Sequence, residues 1–272
     1  MKPPGSLRSR PPEGALSGFG RPGATDALLR SQALTRRFGG LTAVSSVSLD
    51  WRVGEVHAVI GTNGAGKSTL INMLSGELPA SGGSIHFNGM DVTAWSQPKR
   101  ARAGIGRSYQ RTTIYPEFSV FENARLSAQA AHPRPWAVWE AAHGCAYSTG
   151  VARDALAAAG LADKADHIAG ALSHGGKRQL EIAMCLATRP QVLLLDEPLA
   201  GMGAEETERM LALLQDLKRE HAVLLVEHDM DAVFRIADRI TVMVNGEVIA
   251  SDTPERIRTD PQVRVAYLGE GH

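Results

Sequence analysis

The chain predicts an α/β protein. A mostly parallel sheet is covered on both faces, with an antiparallel β part attached and a helical part inserted. Three features carry this expectation. Continuous apolar runs of strand length, VHAVI (Val56 to Ile60), VLLL (Val192 to Leu195) and AVLLV (Ala222 to Val226), alternate with helix-like stretches. Strands that are apolar without alternation belong to sheets buried on both faces. Asn-Gly pairs at 88–89 and 245–246 mark tight hairpins, since both residues tolerate positive φ. The stretch from Phe118 to Ala171 turns alanine-rich, as in VARDALAAAGLADKAD, and predicts helices.

Taken in order, residues 1–26 are rich in Pro, Gly, Ser and Arg and read as a disordered arm, because they cannot bury enough apolar surface to offset chain entropy. Residues 27–269 read as one domain, with about 118–175 as its helical insertion. LLRSQAL, VSSVSLD and SIHF are expected strands. HPRPWAVWEAAHGCAYSTG, broken by proline and glycine, reads as a loop with a short helix. KRQLEIAMCLA puts Leu180, Ala183, Met184 and Ala187 at helical spacing, and MLALLQDLK does the same for Met210, Leu213, Leu214 and Leu217. ITVMVNGEVIA is a hairpin, and TPERIRTDPQVRVAYLGE a helical end.

The 272 residues carry 29 Lys+Arg and 29 Asp+Glu, so net charge makes no case for a nucleic-acid partner. The basic cluster KRARAGIGR reads as a solvated helix face, with anionic lipid headgroups as the alternative partner. Cys145 and Cys185 match no metal or redox spacing and are expected as free thiols in a reducing compartment. No apolar run approaches the roughly 20 residues that span a bilayer, and the first residues lack the apolar core of a signal peptide. A soluble chain that meets a membrane only through a partner is expected.

GTNGAGKST, Gly61 to Thr69, fits G-x-x-x-x-G-K-[ST] with a strand before it and a helix after it, the context the phosphate-loop motif requires. Gly61, Asn63, Gly64, Ala65 and Gly66 form a loop whose N–H groups can curl round an anion. The helix N-terminus adds unpaired donors and partial positive charge. Lys67 brings a full charge to the β- and γ-phosphates, Ser68 a hydroxyl for Mg²⁺, and Thr69 a further donor. The dipole contributes about 0.3–1 kcal/mol, while a unit charge pair at about 4 Å contributes about 4 kcal/mol before desolvation. Lys67 is therefore the expected costliest loss. A bare glycine turn capping a helix leaves the lysine and serine unexplained.

VLLLDEP supplies a second half. A buried strand ending in two carboxylates is unfavourable unless they meet a cation or a polar site. Asp196 is expected to hold Mg²⁺, and Glu197 to polarise the attacking water. A kinase or GTPase can use the same loop.

In this order and spacing the set resembles the ATP-binding cassette (ABC) family from Leu28 to Gly269, nearly everything beyond the arm. GTNGAGKST resembles its phosphate loop, VLLLDEP its metal strand with catalytic glutamate, and LSHGGKRQLEIA its signature loop and helix. The resemblance implies a P-loop ABC ATPase fold with ATP and Mg²⁺ bound. It implies that Gln110 in SYQ senses Mg²⁺ and water and faces a transmembrane partner. It also implies that His228 in VEHD contacts the γ-phosphate and that Phe38 lies against adenine. In the family the signature loop of one subunit covers the ATP of another, which points to Ser173, Gly175 and Gly176. The usual form is LSGGQ. Here His174 replaces the first glycine, and histidine is less comfortable than glycine if that position needs positive φ. Gly203 stands where the family often has an aspartate linking the two nucleotide sites.

RRFGGLTAV, RSYQRTTIYPEFSVFEN, the spacer with Trp136 and Trp139, LEIAMCLATRP, EHDMDAVFRIADRI and AYLGE are similar to cassettes of importers for branched-chain and other hydrophobic amino acids, including relatives that import urea or short amides. Lipopolysaccharide-export cassettes and non-transport ABC ATPases are the alternatives. The implied partners are integral-membrane permeases, a second cassette, identical or paralogous, and indirectly a substrate-binding protein. The implied place is the cytoplasmic face of the inner membrane.

Overall fold

A computed structural model describes residues 27–108, 113–132 and 145–268. The chain opens with β1 (Leu29–Phe38) and β2 (Leu41–Trp51), then runs through β3 (Val56–Gly61) into α1 (Lys67–Ser75). It continues in β4 (Gly82–Phe87), the short β5 (Met90–Asp91), α2 (Gln97–Ala103) and β6 (Ile105–Arg107). Helices α3 (Val120–Ala130), α4 (Ala146–Ala158) and α5 (His174–Ala187) follow. Strand and helix then alternate through β7 (Val192–Asp196), α6 (Ala204–Leu217), β8 (Ala222–Val226), α7 (Met230–Ile236), β9 (Arg239–Val244), β10 (Glu247–Asp252) and α8 (Pro254–Thr259).

One sheet has the order β10-β9-β3-β8-β7-β6 and is parallel except at its β10 edge. The other, β2-β1-β4-β5, is antiparallel. The strand pleat sorts the central residues into two cores. Ala58, Ile60, Leu193, Leu195, Val223 and Leu225 face α5, α6 and α7. Val59, Leu194, Leu224 and Val226 face α1 and the antiparallel sheet, where Trp51 and Phe87 are buried. Each fully buried Leu or Val contributes about 1.5–3 kcal/mol relative to exposure, so the all-apolar strands are explained by burial on both sides. Asn88-Gly89 and Asn245-Gly246 both have positive φ at both residues, the geometry that closes a two-residue hairpin.

Helices α3, α4 and α5 share a third core of Val120, Ala124, Ala152, Leu156, Leu180 and Ala183. Helix α5 also gives Ile182, Cys185 and Leu186 to the main core, so it is buried nearly all round. Ser173 caps it, its side chain accepting from the Gly176 N–H.

Several expectations need revision. β6 was not expected; its IGR sequence is short and sits inside a basic run. α5 begins at His174, ahead of KRQ, and α4 begins at Ala146, inside the piece read as a loop with a short helix, and runs on to Ala158. The basic cluster is only partly a solvated face: Lys99 and Arg102 are exposed, whereas Arg100 and Arg107 turn inward. Arg100 is 2% exposed and donates to the carbonyl oxygens of Met73 and Leu74 at the end of α1 and to Thr93. Charge near a helix C-terminus is favourable, and burial still pulls its pKa down to about 10. Gln110, Trp136, Trp139 and the arm lie outside the described residues. Among the described residues, no helix is long and apolar enough to cross a membrane.

Candidate active site

β3 ends at Gly61 and the chain curls straight into α1. A Cβ added at Gly61 would lie 2.1 Å from the Met243 carbonyl oxygen; at Gly66, where φ is 97°, it would lie 2.3 Å from that of Ala43. Only glycine lets the loop nest this tightly between β9 and β2. The Gly246 N–H donates to the Ala65 carbonyl at 3.1 Å, tying the loop to the second hairpin. Asn63 and Gly64 are exposed at its tip, and Ser68 is exposed on the first turn of α1 beside the half-buried Thr69.

Lys67 lies over its own loop, donating to the carbonyl oxygens of Gly61 at 2.7 Å and Thr62 at 3.0 Å. Burial lowers its pKa; Glu197 and Asp196 oppose that, which places both carboxylates in its field. Asp196 ends β7 fully inside. Its Oδ1 is buried with no hydrogen-bond partner among the described residues, and its Oδ2 is 3.7 Å from Arg107 Nη2. Burial raises its pKa, Arg107 and Lys67 lower it, and Glu197 adds to the rise. A buried, unpartnered carboxylate oxygen beside a second carboxylate fits the demand of a hard divalent cation.

Glu197 has φ 50°, rare for a residue with a side chain, and its N–H donates to the Val226 carbonyl at 2.9 Å. Such left-handed positions cost about 1–3 kcal/mol and cluster at functional sites. His228 Nδ1 is 3.7 Å from Glu197 Oε1 and 3.9 Å from Glu227 Oε2. Glu227, which the sequence reading did not single out, is buried. It accepts from the Leu199 N–H at 2.8 Å and the His228 N–H at 3.1 Å, and burial raises its pKa. It ties the segment after Glu197 to the histidine. Its only sequence signal was a glutamate at a buried strand end. Arg107, also missed, bonds Ser75 and Glu77 as well as facing Asp196.

The structure thus brings Lys67, Asp196, Glu197 and His228 together. Phe38 closes the β1–β2 hairpin, whose Ala43 abuts Gly66; its ring is exposed and lies under the Arg36 guanidinium. Ser173, Gly175 and Gly176 sit elsewhere, at the start of α5 against Glu206 of α6. His174 takes helical backbone and is not among the positive-φ residues, so glycine is not required there. Its ring packs over Gly201.

Strand, glycine loop, lysine-led helix and acidic strand end define a P-loop nucleotide-binding protein. A family model described as ABC transporter matches residues 44–200, and one described as branched-chain amino acid ATP-binding cassette transporter matches 247–272. The high-affinity branched-chain amino acid transport ATP-binding protein BraF of Pseudomonas aeruginosa is 40% identical, covering 89% of this chain and 98% of its own. The corresponding protein LivG of Escherichia coli is 38% identical over the same shares. A crystal structure of a nucleotide-free ATP-binding cassette from an ABC transporter aligns with a TM-score of 0.80 at 30% identity, covering 90% of this chain and 100% of that one. An ADP conformation of such a cassette gives 0.78, also at 30% identity and over the same shares. The chain belongs to the ABC transporter family. ATP hydrolysis coupled to transport is that family's activity.

Proposed function

We propose that this chain is the ATP-hydrolysing subunit of an importer for branched-chain or other hydrophobic amino acids. The observation that carries the substrate class is the match along nearly the whole length of BraF and LivG. The second family match, at 247–272, agrees with it. Residues 27–269 form the nucleotide-binding domain.

The residues take these roles. Gly61, Asn63, Gly64, Ala65, Gly66 and Thr69 present N–H and hydroxyl donors to the phosphates, and Phe38 stacks on adenine. Lys67 turns from its own loop carbonyls to the β- and γ-phosphates, exchanging neutral acceptors for charged ones. Asp196, Ser68 and Gln110 would hold Mg²⁺, which would supply neutralisation of developing charge on the phosphates. Water attacks the γ-phosphorus, the bond to the bridging oxygen breaks, and ADP and phosphate leave. Glu197 orients that water and accepts its proton. His228, held by Glu227, contacts the γ-phosphate. Ser173, Gly175 and Gly176 cover the nucleotide of a second cassette.

The chain docks on integral-membrane permeases at the inner face of the membrane. An apolar patch supports a docking surface. Tyr115 and Phe118 stack with centroids 5.5 Å apart, and Ile168, beside them through the Ala169–Phe118 backbone bond, is also exposed. Affinity purification from native membranes in mild detergent tests the reading. Recovery of two polytopic permeases and a second cassette is expected. Recovery of only soluble or nucleic-acid-bound partners contradicts it.

A further inference from the structure

Ser173 uses its hydroxyl twice. It accepts from the Gly176 N–H at 3.1 Å and donates to Glu206 Oε1 at 2.7 Å. The Glu206 carboxyl lies flat on the loop: a Cβ added at Gly175 would sit 2.6 Å from Glu206 Cδ and under 3 Å from both its oxygens. This explains a buried glycine that has no positive φ to require it. An anion is therefore already lodged at the N-terminus of α5, where a helix favours one. It comes from the first turn of α6, not from a ligand.

We propose that Glu206 is an intramolecular gate on this loop, occupying in the single cassette the donors that the second cassette's nucleotide must use. This rests on the reading that Ser173, Gly175 and Gly176 meet a γ-phosphate in trans. A carboxylate and a γ-phosphate cannot share one set of donors, because like charges at contact repel. The nucleotide sandwich closes only after Glu206 has turned away.

The surroundings give it somewhere to go. Glu206 is half-buried at the edge of a polar cleft, and Arg209 stands one turn further along the same helix in that cleft, with Lys164 across it. Arg209 is at present paired with Glu205 at 3.1 Å. The hydroxyl of Ser173, then the N–H groups of Gly203 and Gly175, hold the Glu206 carboxyl below the usual carboxylate range, so the gate is charged at neutral pH. The gate also tunes response to ATP: a state in which the loop is free is a fraction of the population, and apparent affinity falls by that fraction.

The test uses the full-length chain with Glu206→Gln, Glu206→Ala, Glu205→Gln and Ser173→Arg. Glutamine still caps α6 from its third position, so the fold is kept, and Glu205→Gln removes an equal charge one residue away. ATP turnover against ATP concentration is measured for each. Glu206→Gln and Glu206→Ala are expected to lower the half-saturating ATP concentration at least about threefold without lowering kcat, and Glu205→Gln, which frees Arg209 to hold the turned-away carboxylate, to shift it in the same direction by less. A half-saturating concentration that is unchanged or raised in both Glu206 variants overturns the gate. Ser173→Arg separates the two ideas. If it turns over ATP as wild type does, the in-trans reading of the loop is wrong. If it loses turnover while the Glu206 variants behave as wild type, only the gate fails.

Discussion

His57 and His221 are both interior residues whose hydrogen bonds fix the tautomer and whose burial keeps the rings neutral. His57 Nδ1 is 3.1 Å from the Asp50 carbonyl and Nε2 2.7 Å from the Thr241 hydroxyl; His221 Nδ1 is 3.1 Å from the Pro190 carbonyl. A carbonyl only accepts, so Nδ1 carries the proton in each. Burial, the largest cause, brings both pKa values from 6.5 to about 4, against the small opposite pull of those backbone bonds. The folded pKa is depressed, so the unfolded chain binds more protons between these limits. Stability is fully present above pH 6.5 and is lost as pH falls towards 4. The loss is about 3 kcal/mol for His57. Denaturant titrations at stepped pH check this: His57→Gln should flatten the profile, and an unchanged slope would show that the ring is not the titrating group. At this scale the phosphate loop, Asp196 and Glu197 could be singled out from motif spacing, and His228 from the family resemblance that those motifs carry. Glu206 was not, because its partner Ser173 stands 33 positions away and is met only through packing of α5 on α6.

At the scale of elements, the apolar strands were legible and β6 was hidden. Gly106 in β6 faces the Cys185 sulfur and Pro190, and a Cβ there would lie 2.7 Å and 2.8 Å from them. A glycine required by close approach looks the same in sequence as a glycine that breaks a strand. The basic run around it hid its inward arginines for a related reason: Arg100 donates to carbonyls of α1, far away in sequence and invisible to local pattern. β8 lies in the interior of the parallel sheet, between β3 and β7, and Leu224 on it is fully buried. Leu224→Ala should destabilise the protein by about 2–5 kcal/mol through lost transfer energy and a residual cavity. Chemical denaturation checks it; a change under 1 kcal/mol, the order of a surface substitution, would mean that the strand is not held as described.

For the whole molecule, one sheet serves two purposes. The parallel strands β3, β7 and β8 end together, at Gly61, Asp196 and Val226, so the phosphate loop, the acidic pair and His228 all emerge at one edge. The signature loop is carried by α5, the helix that joins the helical layer to the main core, and faces α6 instead. ATP turnover by this cassette is expected to depend on Glu197, held at positive φ beside Asp196 and His228. The direct test is ATP binding and ATP turnover by Glu197→Gln beside wild type. Binding should persist while turnover falls at least about a hundredfold, the lower range for losing a general base. Turnover at the wild-type rate would contradict the account and move the water-activating step to another residue.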